Sequence, residues 1–183
     1  MGPKSRLPSR APLDRCPREE CHLRRTTPKP RGSHRLPQLS LHTPLGDLTV
    51  SDEDGAIVAV DWGWGRDQER TPLLDEARAQ LQAYFDGRLT RFDLPLSPGG
   101  TAYRRRVWAA LCDIPSGQTR TYGDIARIAG GTARSVGQAN GANPIPVLIP
   151  CHRVVAAGGL GGYTGGDGLA TKIFLLQLEA RAA

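Results

Sequence analysis

No run of 18 or more apolar residues occurs in the 183-residue chain, so no segment is suited to cross a membrane as a helix. The first residues also lack the apolar stretch of a secretory signal. Cysteine is scarce. Cys16, Cys21, Cys112 and Cys151, without an export signal, do not make a disulfide framework, and free thiols in a reducing compartment fit them better. These absences point to a cytoplasmic protein with no membrane partner. What remains is usual for a globular chain: 39% hydrophobic and 23% charged residues, enough for one ordinary domain or two small ones.

The net charge of +6 is unevenly spread. Residues 1–36 carry ten Lys and Arg against three acids, a surplus of +7; residues 37–100 carry five against eleven, or −6; residues 101–183 carry nine against four, or +5. A basic C-terminal half favours a polyanionic partner, of which nucleic acid is the commonest, with a solvated basic face as the alternative. Residues 1–36 are rich in Pro, Arg and Ser and show neither a helical nor a strand period, which predicts a disordered basic arm adding non-specific electrostatics. Cys16, Cys21, His22 and His34 offer a zinc set in that arm, although the spacing matches no standard finger. A transit peptide is a third reading, against which the prolines argue.

The texture changes after the arm. In "QLSLHTPLGDLTVSDEDGAIVAVDWGWG" three short runs are parted by turn signals at Pro44-Leu45-Gly46 and Asp52-Glu53-Asp54-Gly55, which predicts an antiparallel meander. Leu74, Ala77, Leu81, Tyr84 and Phe85 then fall on one face of a helix ended by Gly87. "FDLPLSPGG" reads as an edge strand and linker. Residues 37–100 form a small α+β subdomain with no catalytic constellation of their own.

The second half, residues 101–183, opens with a helix whose stripe is Val107, Leu111 and Ile114 with Trp108 beside it, stopped before Pro115. Thr121 and Asp124 make a capping box, Gly130-Gly131 a tight turn, and Thr132 a cap for "ARSVGQANGA". Two short helices about a glycine turn are a helix-turn-helix candidate. The second is rich in small residues (Ala133, Ser135, Gly137, Ala139, Gly141), so something approaches it closely, either a packed helix or a nucleic-acid groove. Arg104-Arg105-Arg106 is a phosphate-contacting patch or a solvated face.

The chemistry concentrates in "NPIPVLIPCHRVV", residues 143–155. A thiol and an imidazole side by side are a nucleophile and a base. On an extended strand, however, adjacent side chains point to opposite faces, so proton transfer needs a backbone turn or a bridging water. A cysteine hydrolase would use the same pair, but would also need a base on a separate element and an oxyanion hole, and neither is evident. Cys112, at helical spacing from Trp108, reads as an inert core thiol.

"PCHRVV" preceded by "NPIP", together with "TYGDIA", "ARSVGQANGANP", "GGYTGG" and "LATKIFLLQLE" in that order, resembles the O6-alkylguanine-DNA alkyltransferases from about residue 38 to the end. The resemblance implies an α+β protein: a ribonuclease-H-like N-terminal subdomain followed by a winged helix-turn-helix DNA-binding domain that carries the reactive cysteine. It implies a monomer that repairs DNA by moving the alkyl group of O6-alkylguanine, and of O4-alkylthymine, irreversibly onto Cys151, without cofactor or metal. By the same resemblance His152 acts through a bound water and is oriented by Glu179, while Asn143 holds the backbone before Cys151. Arg134 is the finger inserted in the base stack, and Ala133, Ser135 and Gly137 present the slim helix to the minor groove. Tyr122 crowds the target phosphate, and Pro146, Val154, Tyr163 and Thr164 line or hydrogen-bond the flipped guanine, which must leave the stack to be reached. A DNA-binding protein of this fold that only sensed damage would have the cysteine replaced, and here it is present. The chain departs from the family pattern in a short "GGTAR" turn, an Asp167-Gly168 insertion, and Ser116 where an aromatic is usual.

Overall fold

Alternating apolar residues bounded by turn residues build the first element of the fold. In the computed structural model, which describes residues 36–182, strands β1 (Gln38–Thr43), β2 (Gly46–Glu53) and β3 (Ala56–Trp62) form an antiparallel meander in the order β1-β2-β3. Gly46 and Gly55, at φ of +91° and +76°, make the two tight turns that their positions demand. A register shift at Ser51/Asp52 bends β2. Helix α1 (Pro72–Phe85) is capped by the Thr71 side chain and buries the predicted face, Leu74, Ala77, Leu81, Tyr84 and Phe85, against β1 and β2.

The predicted edge strand at residues 92–100 does not form. Only one bridge joins it to the sheet, Ile57 to Leu96, where Ile57 N donates to Pro95 O (2.8 Å) and Ser97 N to Ile57 O (2.8 Å). Pro95 and Pro98 have no N–H to extend the ladder, which explains the interruption.

The C-terminal half is helical. Helix α2 (Ala102–Cys112) buries Val107, Trp108, Ala110 and Leu111, and Ile114 is buried just beyond its end. The Trp108 indole N–H donates to Ala139 O (2.8 Å), fixing α2 to α4 through a group that burial would otherwise leave unpaired. Strand β4 (Arg120–Thr121) leads into α3 (Tyr122–Ala129), whose capping box between Thr121 and Asp124 is complete. The turn to α4 (Ala133–Gly141) runs through Gly130 (φ +82°) and Gly131 (φ +93°). A Cβ on Gly131 would lie 2.7 Å from both Ser135 Oγ and Tyr103 Oη, so glycine is required there on two counts. Helices α2, α3 and α4 pack on one another, which answers part of the small-residue pattern: Ala139 is buried in that contact, whereas Ala133 and Arg134 are exposed.

Beyond α4 the chain makes a compact run of turns into β5 (Val154–Val155), which pairs in parallel with β4. The Asp167-Gly168 insertion is absorbed in a turn, with Asp167 N bonded to Thr171 Oγ1 (3.0 Å), and α5 (Leu169–Ala182) starts directly after it. Helix α5 lies against the segment holding Cys151. Among the described residues no helix is long and apolar enough to cross a membrane. The zinc set proposed for Cys16, Cys21, His22 and His34, and the disordered-arm reading of residues 1–36, fall almost wholly outside the described residues.

Candidate active site

Cys151 does not sit on a strand. It opens one turn of 3-10 helix, Cys151–Arg153, so the expectation of opposed faces along an extended segment is corrected: the backbone turns at the thiol. Pro150 ends the apolar run and the turn begins at once. The segment before it is strained. Val147 has φ +71°, an uncommon conformation for a β-branched residue, and Asn143 braces that turn from both ends. Its Nδ2 donates to Ile149 O (2.9 Å) and its Oδ1 accepts from Ile145 N (3.0 Å). Asn140, overlooked in the sequence, donates from Nδ2 to Cys151 O (3.2 Å), so α4 is tied directly to the thiol-bearing residue.

The Cys151 thiol is buried and donates to Tyr163 Oη at 3.9 Å. Burial pushes its pKa up, while hydrogen bonds from Asn143 and Tyr163 and the charge of Lys172 pull it down; the net direction is upward. His152 is fully buried. Its Nε2 lies 2.7 Å from Glu179 Oε1, and its Nδ1, buried as well, has no protein partner among the described residues. The carboxylate fixes the tautomer with the proton on Nε2 and leaves the Nδ1 lone pair as the basic site. Burial lowers the His152 pKa, assisted by the charges of Arg153 and Lys172 and opposed by Glu179, so the imidazole is neutral at pH 7.

Glu179 anchors the arrangement. Burial alone would raise its pKa, but hydrogen bonds and charges from His152 and Arg153 hold it at about 2. Arg153 grips it through Nε (3.1 and 3.0 Å) and Nη2 (2.8 Å) and donates Nη1 to Ile114 O (2.5 Å), so its charge is spent inside the protein. Two further groups complete the shell: the Gly117 amide (3.2 Å) and the Tyr84 hydroxyl (2.8 Å).

A cavity of about 360 Å³ opens onto Cys151. Tyr122, Gly137, Asn143, Pro146, Tyr163 and Thr164 line it. Val154 does not. It is buried behind the wall, and its carbonyl accepts from Lys172 Nζ (2.6 Å). Lys172 is fully buried and also donates to Leu160 O (2.5 Å) and Gly162 O (3.3 Å), so one ammonium fastens the loop that carries Tyr163. Tyr122 Oη reaches the same loop at Gly162 O (3.5 Å). Ser135 spends its hydroxyl inside the protein, on the Thr132 cap and on Tyr103 Oη (2.7 Å). Val60, Asp61 and Trp62 of β3 close the far side of the cavity, so the N-terminal subdomain contributes a wall that the sequence did not reveal. The Trp62 ring packs closely on the loop glycines: a Cβ on Gly165 would meet it at 3.1 Å. Cys112 is half-buried on α2 and is not among the cavity-lining residues, more open than a core thiol. Among the described residues no group of three or more His, Cys, Asp or Glu is disposed to hold a metal ion.

Residues 39–98 match the ribonuclease-like domain of 6-O-methylguanine DNA methyltransferase, and residues 102–181 match its DNA-binding domain. The methylated-DNA–protein-cysteine methyltransferase of Mycobacterium leprae is 53% identical over 153 residues, which cover 76% of this chain and 90% of that protein. Its counterpart from Methanosarcina mazei is 49% identical over 135 residues, covering 72% and 81%. The crystal structure of Mycobacterium tuberculosis OGT in complex with DNA superposes with a TM-score of 0.72 at 41% identity, covering 80% of this chain and 94% of that one. Fold and site together define a two-subdomain protein whose helix-turn-helix half encloses a buried thiol beside a His-Glu pair. The chain belongs to the 6-O-methylguanine DNA methyltransferase family.

Proposed function

We propose that this chain repairs alkylated DNA by direct reversal, transferring the alkyl group of O6-alkylguanine, and of O4-alkylthymine, to Cys151 once per molecule. The observation that carries the reading is the buried thiol at the base of a cavity, next in sequence to an imidazole whose proton lies on the Glu179 side. The Nδ1 atom of His152 takes the Cys151 proton through a bridging water, and the sulfur attacks the alkyl carbon. The S–C bond forms as the C–O6 bond breaks, the electron pair stays on the guanine, and the guanine takes up one proton, balancing the one that the thiol gave up. The product is a thioether, which is a poor leaving group, so the protein is consumed.

The alkyl group of a paired guanine lies inside the stack, so the nucleotide must rotate out to enter the cavity. The outer face of α4, with the exposed Ala133 and the half-buried Gly137, enters the minor groove; Arg134 takes the place of the departed base, and Tyr122 presses on the target phosphate. The protein acts as a monomer. Incubation with duplex DNA containing O6-methylguanine should give an intact mass higher by one CH2 group in one-to-one yield with the lesion. Continuous turnover, or DNA binding with no gain of mass, would refute the reading.

The base role also fixes a pH profile. Glu179 from α5, Arg153 from the same turn and Lys172 from α5 act on His152, and burial dominates, so its folded pKa lies below the ordinary 6.5. Protonation removes the base. With a saturating free base such as O6-benzylguanine, the first-order rate should therefore hold level from pH 8 down to the ordinary histidine range and fall only below it. A fall that begins above pH 7 would show that His152 is not the titrating group.

A further inference from the structure

Tyr84 belongs to the half of the chain whose sequence showed no chemistry, yet its hydroxyl lies 2.8 Å from Glu179 Oε1, a buried contact between residues 95 positions apart. The ring lies beside Phe85 and Phe92, at centroid distances of 5.4 and 5.1 Å. Oε1 is the oxygen that receives His152 Nε2 at 2.7 Å. Arg153 spans both oxygens, with Nε on each and Nη2 on Oε1, and the Gly117 amide donates to Oε2 (3.2 Å). The Tyr84 hydroxyl approaches one oxygen only. We infer that Tyr84 is a positioning residue of the alkyl-transfer relay, supplied by the N-terminal subdomain, that holds Glu179 Oε1 on His152 Nε2 and thereby keeps the His152 Nδ1 lone pair directed toward the thiol side.

This inference rests on the relay proposed above. If Tyr84 only filled the core, phenylalanine would serve as well, and a buried hydroxyl is retained at a cost unless its bond matters. The hydroxyl remains a donor at every working pH, because burial and the neighbouring Glu179 charge raise its pKa. The relay is therefore complete only with the two subdomains docked, and the cost of loosening their contact is a slower chemical step rather than a weaker grip on DNA.

Tyr84→Phe in the full-length chain tests this. At saturating O6-benzylguanine its first-order rate should fall about tenfold, the lower end of what removing a carboxylate partner's support costs a functional histidine at metal sites, while the half-saturating concentration stays within about twofold. Phe85→Leu serves as the control: it disturbs the same packing without touching the hydroxyl, and should lower Tm with the rate retained. In the Glu179→Gln background, itself slowed, Tyr84→Phe should add less than about a twofold loss. The His152 Nε2–H proton resonance should move in Tyr84→Phe and stay in place in Phe85→Leu. An undiminished rate in Tyr84→Phe, or an equal loss in both backgrounds, would overturn the role assigned to Tyr84 while leaving the relay intact. An undiminished rate in Glu179→Gln would overturn the relay, and this inference with it.

Discussion

Cys151→Ala should lose alkyl transfer entirely, to duplex DNA and to free O6-benzylguanine alike, while still binding DNA. Among the described residues that line the cavity, Cys151 is the only one with a thiol. In the proposed reaction His152 Nδ1 serves proton transfer and the Tyr163 hydroxyl orientation, and neither forms a stable bond to carbon. Cys151→Ser should be nearly as poor, slower by on the order of 10³-fold or more, because a hydroxyl is a far weaker nucleophile than a thiolate and its pKa is beyond a neutral imidazole's reach. Neither change should unfold the protein. The side chain is small, the carbonyl of residue 151 keeps its bond from Asn140, and the Glu179 shell does not include the sulfur. Cys112→Ala, on α2 and not among the cavity-lining residues, should react at the parental rate. Peptide mapping after reaction with O6-methylguanine DNA checks both halves. A methyl group on Cys112, or a mass gain in Cys151→Ala, would move the acceptor elsewhere.

Much of this arrangement could be read from the chain because it is local. The α1 face, the Thr121-Asp124 capping box and the Gly130-Gly131 turn each depend on residues a few positions apart, and each is found where its spacing placed it. The edge strand failed for a local reason too, since two prolines remove ladder donors. The features that were not legible depend on distance along the chain. Tyr84 carried the ordinary signal of a core position on an amphipathic helix, and nothing nearby told that its hydroxyl would meet Glu179. Trp62 and Asp61 looked like the end of a strand, whereas folding turns them into a cavity wall. Lys172 did leave a trace: a lone cation within the apolar "LATKIFLLQLE" must either snorkel out or find acceptors, and it finds three carbonyls. The turn at Cys151 was hidden for another reason. Val154 and Val155 and the preceding apolar run favour a strand by composition, and the tertiary bonds from Asn140 and Asn143 override that preference.

Arg134→Ala should separate extrusion of the base from the chemistry that follows. Rotating a nucleotide out of the duplex leaves a gap whose cost is a few kcal/mol if nothing fills it. The Arg134 side chain is exposed near the start of α4, two residues past the Thr132 cap, where the proposed finger role requires a long side chain. A planar guanidinium can stack between neighbouring bases and donate to acceptors that the departed base leaves behind. Free O6-benzylguanine enters the cavity already unstacked. At saturating DNA, Arg134→Ala should therefore slow repair of duplex O6-methylguanine by about a hundredfold, the equivalent of about 3 kcal/mol, and leave the reaction with the free base within about twofold. Arg134→Lys should recover only part of the duplex rate, since the ammonium keeps the charge and loses the plane. Saturation matters because a side chain that merely met a phosphate would weaken binding alone and leave the saturated rate unchanged. An unchanged saturated rate would thus assign Arg134 to the backbone, and an equal loss toward duplex and free base would assign it to support of the cavity.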